Sequence, residues 1–205
     1  MSQSPSSTAA PAPTLVHRPQ SFFEPLNIGS MFSKAQPLQV EIGAGDGSFL
    51  IQYTSQHPEY NFLGVERLLG RLRKIDRKGQ RQGLQNLRGM RIEAAYFVEY
   101  LLPADSTDIM HIYFPDPWPK KKHRKNRLVN ERFTDLVHRV LKDRGIIYLR
   151  TDDADYHEQM VTVFDANPKF ERIETPEELS AVKTDFERGF NAEGIPTRYA
   201  AYRRL

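Results

Sequence analysis

Three stretches of the chain carry residue types whose order could do chemistry. The densest is Phe114-Pro115-Asp116-Pro117-Trp118-Pro119, which runs on into Lys120-Lys121-Lys122-His123-Arg124-Lys125. Alternate prolines fix their own φ angles and hold the residues before them extended. Asp116 and the single tryptophan of the chain, Trp118, are therefore presented with little freedom to lose on binding. A carboxylate framed in this way suits the orientation of a polar partner. Between Lys120 and Arg127 stand six lysines or arginines plus His123, a local charge suited to phosphate. Beside a rigid aromatic such a run favours RNA, whose unpaired bases stack on rings and bond at their edges.

The second stretch, Glu41-Ile42-Gly43-Ala44-Gly45-Asp46-Gly47, follows an apolar run. Glycines there permit positive φ and let a ligand touch bare backbone. A dinucleotide fingerprint requires G-x-G-x-x-G, yet position 48 is Ser48 and Gly47 comes one place early. The third feature is Glu66, 23 residues beyond Gly43, where an acid can accept both ribose hydroxyls of an adenosine-containing cofactor. Together these features point to a nucleoside cofactor and leave NAD and S-adenosylmethionine both open. Glu41 favours the latter. A carboxylate repels a pyrophosphate, whereas it attracts a sulfonium donor with an ammonium tail. Asp46 adds to the same objection.

These residues need a frame that brings them together. Apolar runs at Leu38 to Ile42, Asn61 to Val65, Leu87 to Ala94, Asp108 to Phe114, Ile146 to Leu149, Phe170 to Ile173 and Tyr199 to Arg203 read as seven strands. Helical periodicity separates them: Ser48 to Gln56, a segment built on Leu68, Leu69, Leu72 and Ile75, then Leu128 to Leu141 closed by Gly145, and Tyr156 to Phe164. In the second of these, Arg71, Arg73, Lys74, Arg77 and Lys78 take the wet face. Strands alternating with helices predict a mostly parallel α/β sheet with helices on both faces. Right-handed crossovers then place every strand-to-helix loop on one edge of the sheet. Ligands sit there, where strand order reverses. The forecast gathers Glu41–Gly47, Glu66, Glu93, Phe114–His123 and Thr151–Asp155 at one rim.

In this order the motifs carry a family resemblance. The Glu-Ile-Gly-x-Gly loop, the Gly64-Val65-Glu66 strand end, Phe-Pro-Asp-Pro-Trp-Pro-Lys-Lys-x-His, the Thr151-Asp152 pair and the late Thr184-Asp185-Phe186-Glu187 are similar to those of tRNA (guanine-N7-)-methyltransferases, over roughly Val40 to Phe190. The resemblance implies a Rossmann-like class I methyltransferase fold and S-adenosylmethionine as cofactor. It implies methyl transfer to N7 of the guanine at position 46 in the tRNA variable loop. It assigns Glu41, Gly43, Gly45, Glu66, Glu93, Ala94 and Asp116 to the cofactor, with Asp116 also the catalytic-site acid. Lys120, Asp152, Thr184, Asp185, Phe186 and Glu187 fall to the tRNA or its guanine. Two departures stand out: Glu93-Ala94 replaces the usual Asp-Ala, and Asp185 stands where a lysine is common. Independently of the family, Thr184 and Glu187 spell a capping box, and Asp152, Asp153 and Asp155 suit a helix start.

Composition narrows the remaining classes. The 205 residues are expected to form a flexible leader over 1–20, rich in serine and proline, and one domain over 21–205. An arm at Ser21 to Ser33 could anchor on that domain through Phe22, Phe23, Leu26, Ile28 and Phe32. The leader lacks the cationic start and apolar stretch of a secretory signal. Without cysteine there are neither disulfides nor thiolate chemistry, which fits a reducing, cytoplasmic setting. The six histidines show no paired ligand spacing, so no metal is expected, and no apolar run reaches membrane length. A net charge of +3 is mild, so the placement of charge matters more than its sum. Two other classes stay open on the same architecture: an NAD-type oxidoreductase and a catalytically silent RNA-binding protein.

Overall fold

A computed structural model describes residues 14–205. Its elements run β1 (Val16–His17), β2 (Leu38–Ile42), α1 (Ser48–Gln56), β3 (Asn61–Val65), α2 (Leu69–Arg81), β4 (Leu87–Met90), α3 (Ala94–Tyr96), β5 (Thr107–Tyr113), α4 (Glu131–Val140), β6 (Leu141–Thr151), α5 (Ala154–Asp165), β7 (Phe170–Ile173), α6 (Glu177–Ala181), α7 (Asp185–Ala192) and β8 (Arg198–Arg204). The strands form one sheet in the order β1-β4-β3-β2-β5-β6-β8-β7. All neighbours pair in parallel except β8, which runs antiparallel between β6 and β7. Strand order reverses at β2, whose flanks are β3 and β5. The loops after these three strands therefore open on one crevice.

Every residue of β2 and β3 is buried, as expected of strands covered on both faces. One core packs α4, α5 and the arm against the sheet through Phe133, Val137, Met160, Phe164 and Leu26. The other packs α1 and α2 through Phe49, Leu50, Leu72 and Ile75. In α2 the buried positions Leu72, Ile75 and Gly79 lie on one helical stripe.

Several expectations shift. The sheet has an eighth strand, because Val16 and His17 pair with Gly89 and Met90. Within the leader expected over 1–20, Leu15 to His17 are thus joined to the sheet edge, while residues 1–13 lie outside the described residues. In the arm, Leu26 and Phe32 are buried together with Met31, and Ile28 packs partly against them. Phe22 and Phe23 are exposed instead, so they do not anchor it. Strand β4 stops at Met90 because Glu93 caps α3, accepting hydrogen bonds from Ala95 N at 3.0 Å and Tyr96 N at 2.8 Å. Helix α4 ends at Val140, before Gly145, and β6 begins at Leu141, opposite Thr107. An irregularity between Thr107 and Ile109 absorbs the turn at Arg144 and Gly145, and Arg144 has φ 61°.

Candidate active site

The crevice over β2 is a cavity of about 770 Å³. Its lining includes Glu41 to Asp46, Glu66, Glu93 and Ala94, Phe114 to Asp116, Trp118, Thr184 and Phe186. Sequence segments as far apart as positions 41 and 186 thus meet at one rim, and Asp116 shares a cavity with the glycine loop and Glu66.

The glycine loop is shaped by its backbone. Gly43, Gly45 and Gly47 take φ values of 75°, 58° and 80°. A Cβ on Gly43 would meet no atom within 4 Å, so its flank is open for a ligand to approach. A Cβ on Gly47 would sit 2.8 Å from Ile75 Cγ1, which forces glycine where α2 packs against the start of α1. Gly47 thereby does the work of close helix packing that a fingerprint assigns to its third glycine. Ser48 begins α1, and its Oγ accepts a hydrogen bond from Asp185 N at 2.9 Å, which ties α7 to the loop.

Glu66 is buried at the end of β3. Its Oε2 accepts from Gly45 N at 3.0 Å and its Oε1 from Leu68 N at 2.6 Å. Each oxygen keeps a further lone pair for a hydroxyl. Glu41 is buried as well, and its Oε2 has no hydrogen-bond partner among the described residues. Burial pushes its pKa up to about 8; the Arg150 charge pulls the other way, and Asp46 and Glu66 add to the rise. A buried, unpartnered carboxyl group on a cavity wall matches a cationic ligand group. The second acid behaves differently: Asp46 Oδ2 is ion-paired with Lys78 Nζ at 2.6 Å. The charge argument against pyrophosphate therefore rests on Glu41 alone. The donor set of S-adenosylmethionine, with its ribose, ammonium and sulfonium, fits this wall.

The opposite wall carries strain. Phe114 has φ 51° and Trp118 has φ 44°, a left-handed region that non-glycine residues seldom occupy. Such strain costs on the order of 1–3 kcal/mol per residue, and it concentrates where a site must be held in place. Asp116 is exposed to the cavity, and its Oδ1 accepts from Trp118 N at 3.2 Å, closing a local turn. Trp118 meets His123 edge-on at 5.9 Å. Arg127 braces the loop from beneath: its Nε donates to Pro117 O at 2.8 Å, and its guanidinium lies 4.7 Å from the Tyr156 ring.

That brace divides the basic run. Arg127 is buried, bonded to Asp155 at 2.5 Å and to Gln159 at 2.9 Å, and Arg124 pairs with the same Asp155 at 2.8 Å. Asp155 thus engages both arginines, Arg127 in the interior and Arg124 at the surface. Lys120, Lys121, Lys122 and Lys125 are exposed with no ion-pair partner among the described residues, and Lys125 reaches the cavity lining.

The late motif divides as well. Thr184 and Phe186 face the cavity; Lys120, Asp152, Asp185 and Glu187 are not in its lining. Asp185 is exposed and paired with Arg188. The carbonyl of Asp152 accepts from Arg198 Nη1 at 2.8 Å, while Asp153 caps α5. Glu187 is 0% exposed and its carboxylate is held inside the fold. Its carboxylate binds Arg150 Nη1 at 3.0 Å and Tyr199 Oη at 2.6 Å. Only half of the capping box forms, through Glu187 N to Thr184 Oγ1 at 2.9 Å. Arg150 also donates to Val182 O at 2.8 Å and Leu179 O at 2.6 Å, and lies 4.1 Å from the Tyr113 ring. No local pattern marks Arg150 in the sequence, since its partners come from later elements. Asn130, Arg132 and Phe133 likewise belong to no local motif, yet they put the start of α4 on the cavity wall.

Residues 35–197 match a family described as "putative methyltransferase". The chain is 34% identical over 191 residues to the tRNA (guanine-N(7)-)-methyltransferase of Halorhodospira halophila, covering 87% of this chain and 79% of that protein. It is also 34% identical to the enzyme of that name from Syntrophotalea carbinolica, over 91% of this chain and 82% of that protein. The fold is similar to that of a 30S ribosomal A1408 methyltransferase from an uncultured bacterium, with a TM-score of 0.56 at 19% identity over 87% of this chain and 91% of that one. With its strand order, glycine loop and strained Pro-Asp-Pro-Trp turn, the chain belongs to the tRNA (guanine-N(7)-)-methyltransferase family.

Proposed function

We propose that this protein methylates N7 of the guanine at position 46 in the tRNA variable loop, in the cytoplasm, with Asp116 as its central acid. The carrying observation is that Asp116, on a strained loop, lines one cavity with the glycine loop, Glu41 and Glu66. S-adenosylmethionine supplies a methyl group on a positively charged sulfur.

Guanine N7 has a free lone pair and no proton, so the protein needs no obligatory base. Its task is to hold N7 in line, and well-oriented reactants can gain roughly 7–11 kcal/mol from such positioning. Glu66 binds ribose hydroxyls, and the backbone of Gly43 and Gly45 passes close beside the donor. Glu41 and the Glu93–Ala94 turn complete that wall. Asp116 accepts from donor edges of the guanine or from the donor's ammonium, and its negative charge offsets the positive charge that the methylated ring acquires. Phe186 and Thr184 border the cavity from α7. Lys120, Lys121 and Lys122 meet tRNA phosphates outside it, and Lys125 meets them at its rim.

The test is incubation with labelled S-adenosylmethionine and tRNA, followed by nucleoside analysis. The expected product is 7-methylguanosine, lost when position 46 of the transcript is changed from guanine to adenine. Label in another nucleoside, or persistence after that change, would contradict the proposal.

A further inference from the structure

We propose that the outer face of α2 is a second tRNA-phosphate docking surface, on the rim opposite the lysines of the Pro-Asp-Pro-Trp loop. The inference rests on the tRNA reading above. Helix α2 buries Leu72, Ile75 and Gly79 and turns Arg73, Lys74, Arg77 and Arg81 to solvent. At about 100° per residue these four cations fall within one sector, opposite the buried stripe. Arg67 and Arg71 continue the charge to the cavity mouth, where both line the wall.

None of these six arginines and lysines has an ion-pair partner among the described residues. The one acid of the helix, Asp76, is engaged by Leu15 N at 2.7 Å. Elsewhere on the described surface such side chains are commonly paired: Arg132 with Glu99, Lys142 with Asp108, Lys169 with Asp135 and Arg172 with Asp165. On α2 the neighbours one turn apart are instead alike, as in Arg73 and Arg77 or Arg77 and Arg81. Like charges at that spacing repel and destabilise a helix. A polyanion removes that repulsion.

Position supports the same occupant. Helix α2 follows β3, and the lysine loop follows β5; these strands flank β2, and the cavity lies above it. Unpaired cations therefore stand on both sides of the cavity. A tRNA whose guanine enters the cavity has backbone on both sides of that nucleotide. Thirteen residues of α2 extend roughly 20 Å from the mouth, enough to meet more than one phosphate. Arg71, with its guanidinium 5.7 Å from the Phe186 ring, marks where the basic face joins the aromatic rim.

The test uses the full chain with R73Q, K74Q, R77Q and R81Q combined. Expected results are a tRNA Kd raised about tenfold or more at ~0.1 M salt, and a salt slope reduced by roughly one for each phosphate no longer neutralised. Donor affinity and kcat at saturating tRNA are expected to hold, and Tm is expected to hold or rise slightly as the like-charge repulsion is removed. A control removes four charges elsewhere, at Lys142, Arg144, Lys169 and Arg172. An α2 variant with wild-type Kd and slope would overturn the inference, as would equal weakening in the control. In either case, continued 7-methylguanosine formation by the wild type leaves the activity reading intact. A wild type that forms no 7-methylguanosine overturns that reading, and this inference with it.

Discussion

The two walls of the cavity are built by different means. On the glycine-loop side, shape comes from backbone: three glycines at positive φ and a glutamate at the end of β3 whose carboxylate accepts from the amides of Gly45 and Leu68. On the acceptor side, shape comes from buried guanidiniums that reach across the chain. Arg127 ties the Pro-Asp-Pro-Trp turn to Asp155 and Gln159, and Arg150 ties α6 and α7 to β6. A wall assembled from the Pro-Asp-Pro-Trp turn, α5, β6, α6 and α7 needs cross-links, and here two buried arginines provide them.

That contrast can be broken first at Glu187. Substitution by alanine leaves Arg150 charged, buried and short of a partner, a loss on the order of 3–5 kcal/mol. Thermal or urea unfolding of Glu187→Ala should show it. If Glu187 served only to touch substrate, stability would be unchanged.

A smaller effect is expected at Arg127. Lysine keeps the charge but cannot serve Pro117 O, Asp155 and Gln159 together. Arg127→Lys should lower kcat for methyl transfer about tenfold through a misplaced turn, with donor affinity unchanged. Equal kcat in the two proteins would remove the brace from the account.

The smallest effect concerns the donor wall and pH. With its pKa near 8, Glu41 is mostly protonated at pH 7 in the free protein. A cationic ligand favours the ionised form, so binding expels a proton below about pH 8. Donor affinity should rise with pH up to that point, by at most about tenfold per unit, and then level off. Calorimetry in buffers of different ionisation enthalpy should detect the released proton, and Glu41→Gln should abolish it. Stability runs the opposite way. The unfolded carboxyl ionises near 4.5, so folding takes up a proton between roughly pH 4.5 and 8, and this group's contribution declines across that window.

The same contrast explains what the sequence reveals. Strands β2, β3 and β7 and helix α1 lie where the apolar runs and their Gly, Pro and Asn punctuation put them. The glycine loop, Glu66 and the proline-framed Asp116 are legible because residue type and spacing mark them, although Glu66 meets Gly45 across 21 residues. Arg127 reads as one more cation in a basic run, since Asp155 lies 28 residues further on. Glu187 reads as a cap or a contact, since its Arg150 partner is 37 residues away. Phe22 and Phe23 read as anchors, yet the arm needs only Leu26, Met31 and Phe32 to cover its part of the core. Pairings across the fold leave no periodic trace in the chain.

The proposed role of Asp116 lies in the methyl-transfer step itself. Single-turnover formation of 7-methylguanosine by Asp116→Asn, with donor and tRNA both saturating, tests it directly. The expected result is a rate lowered on the order of 10²-fold while the protein still binds tRNA. A rate close to that of the wild type would contradict it.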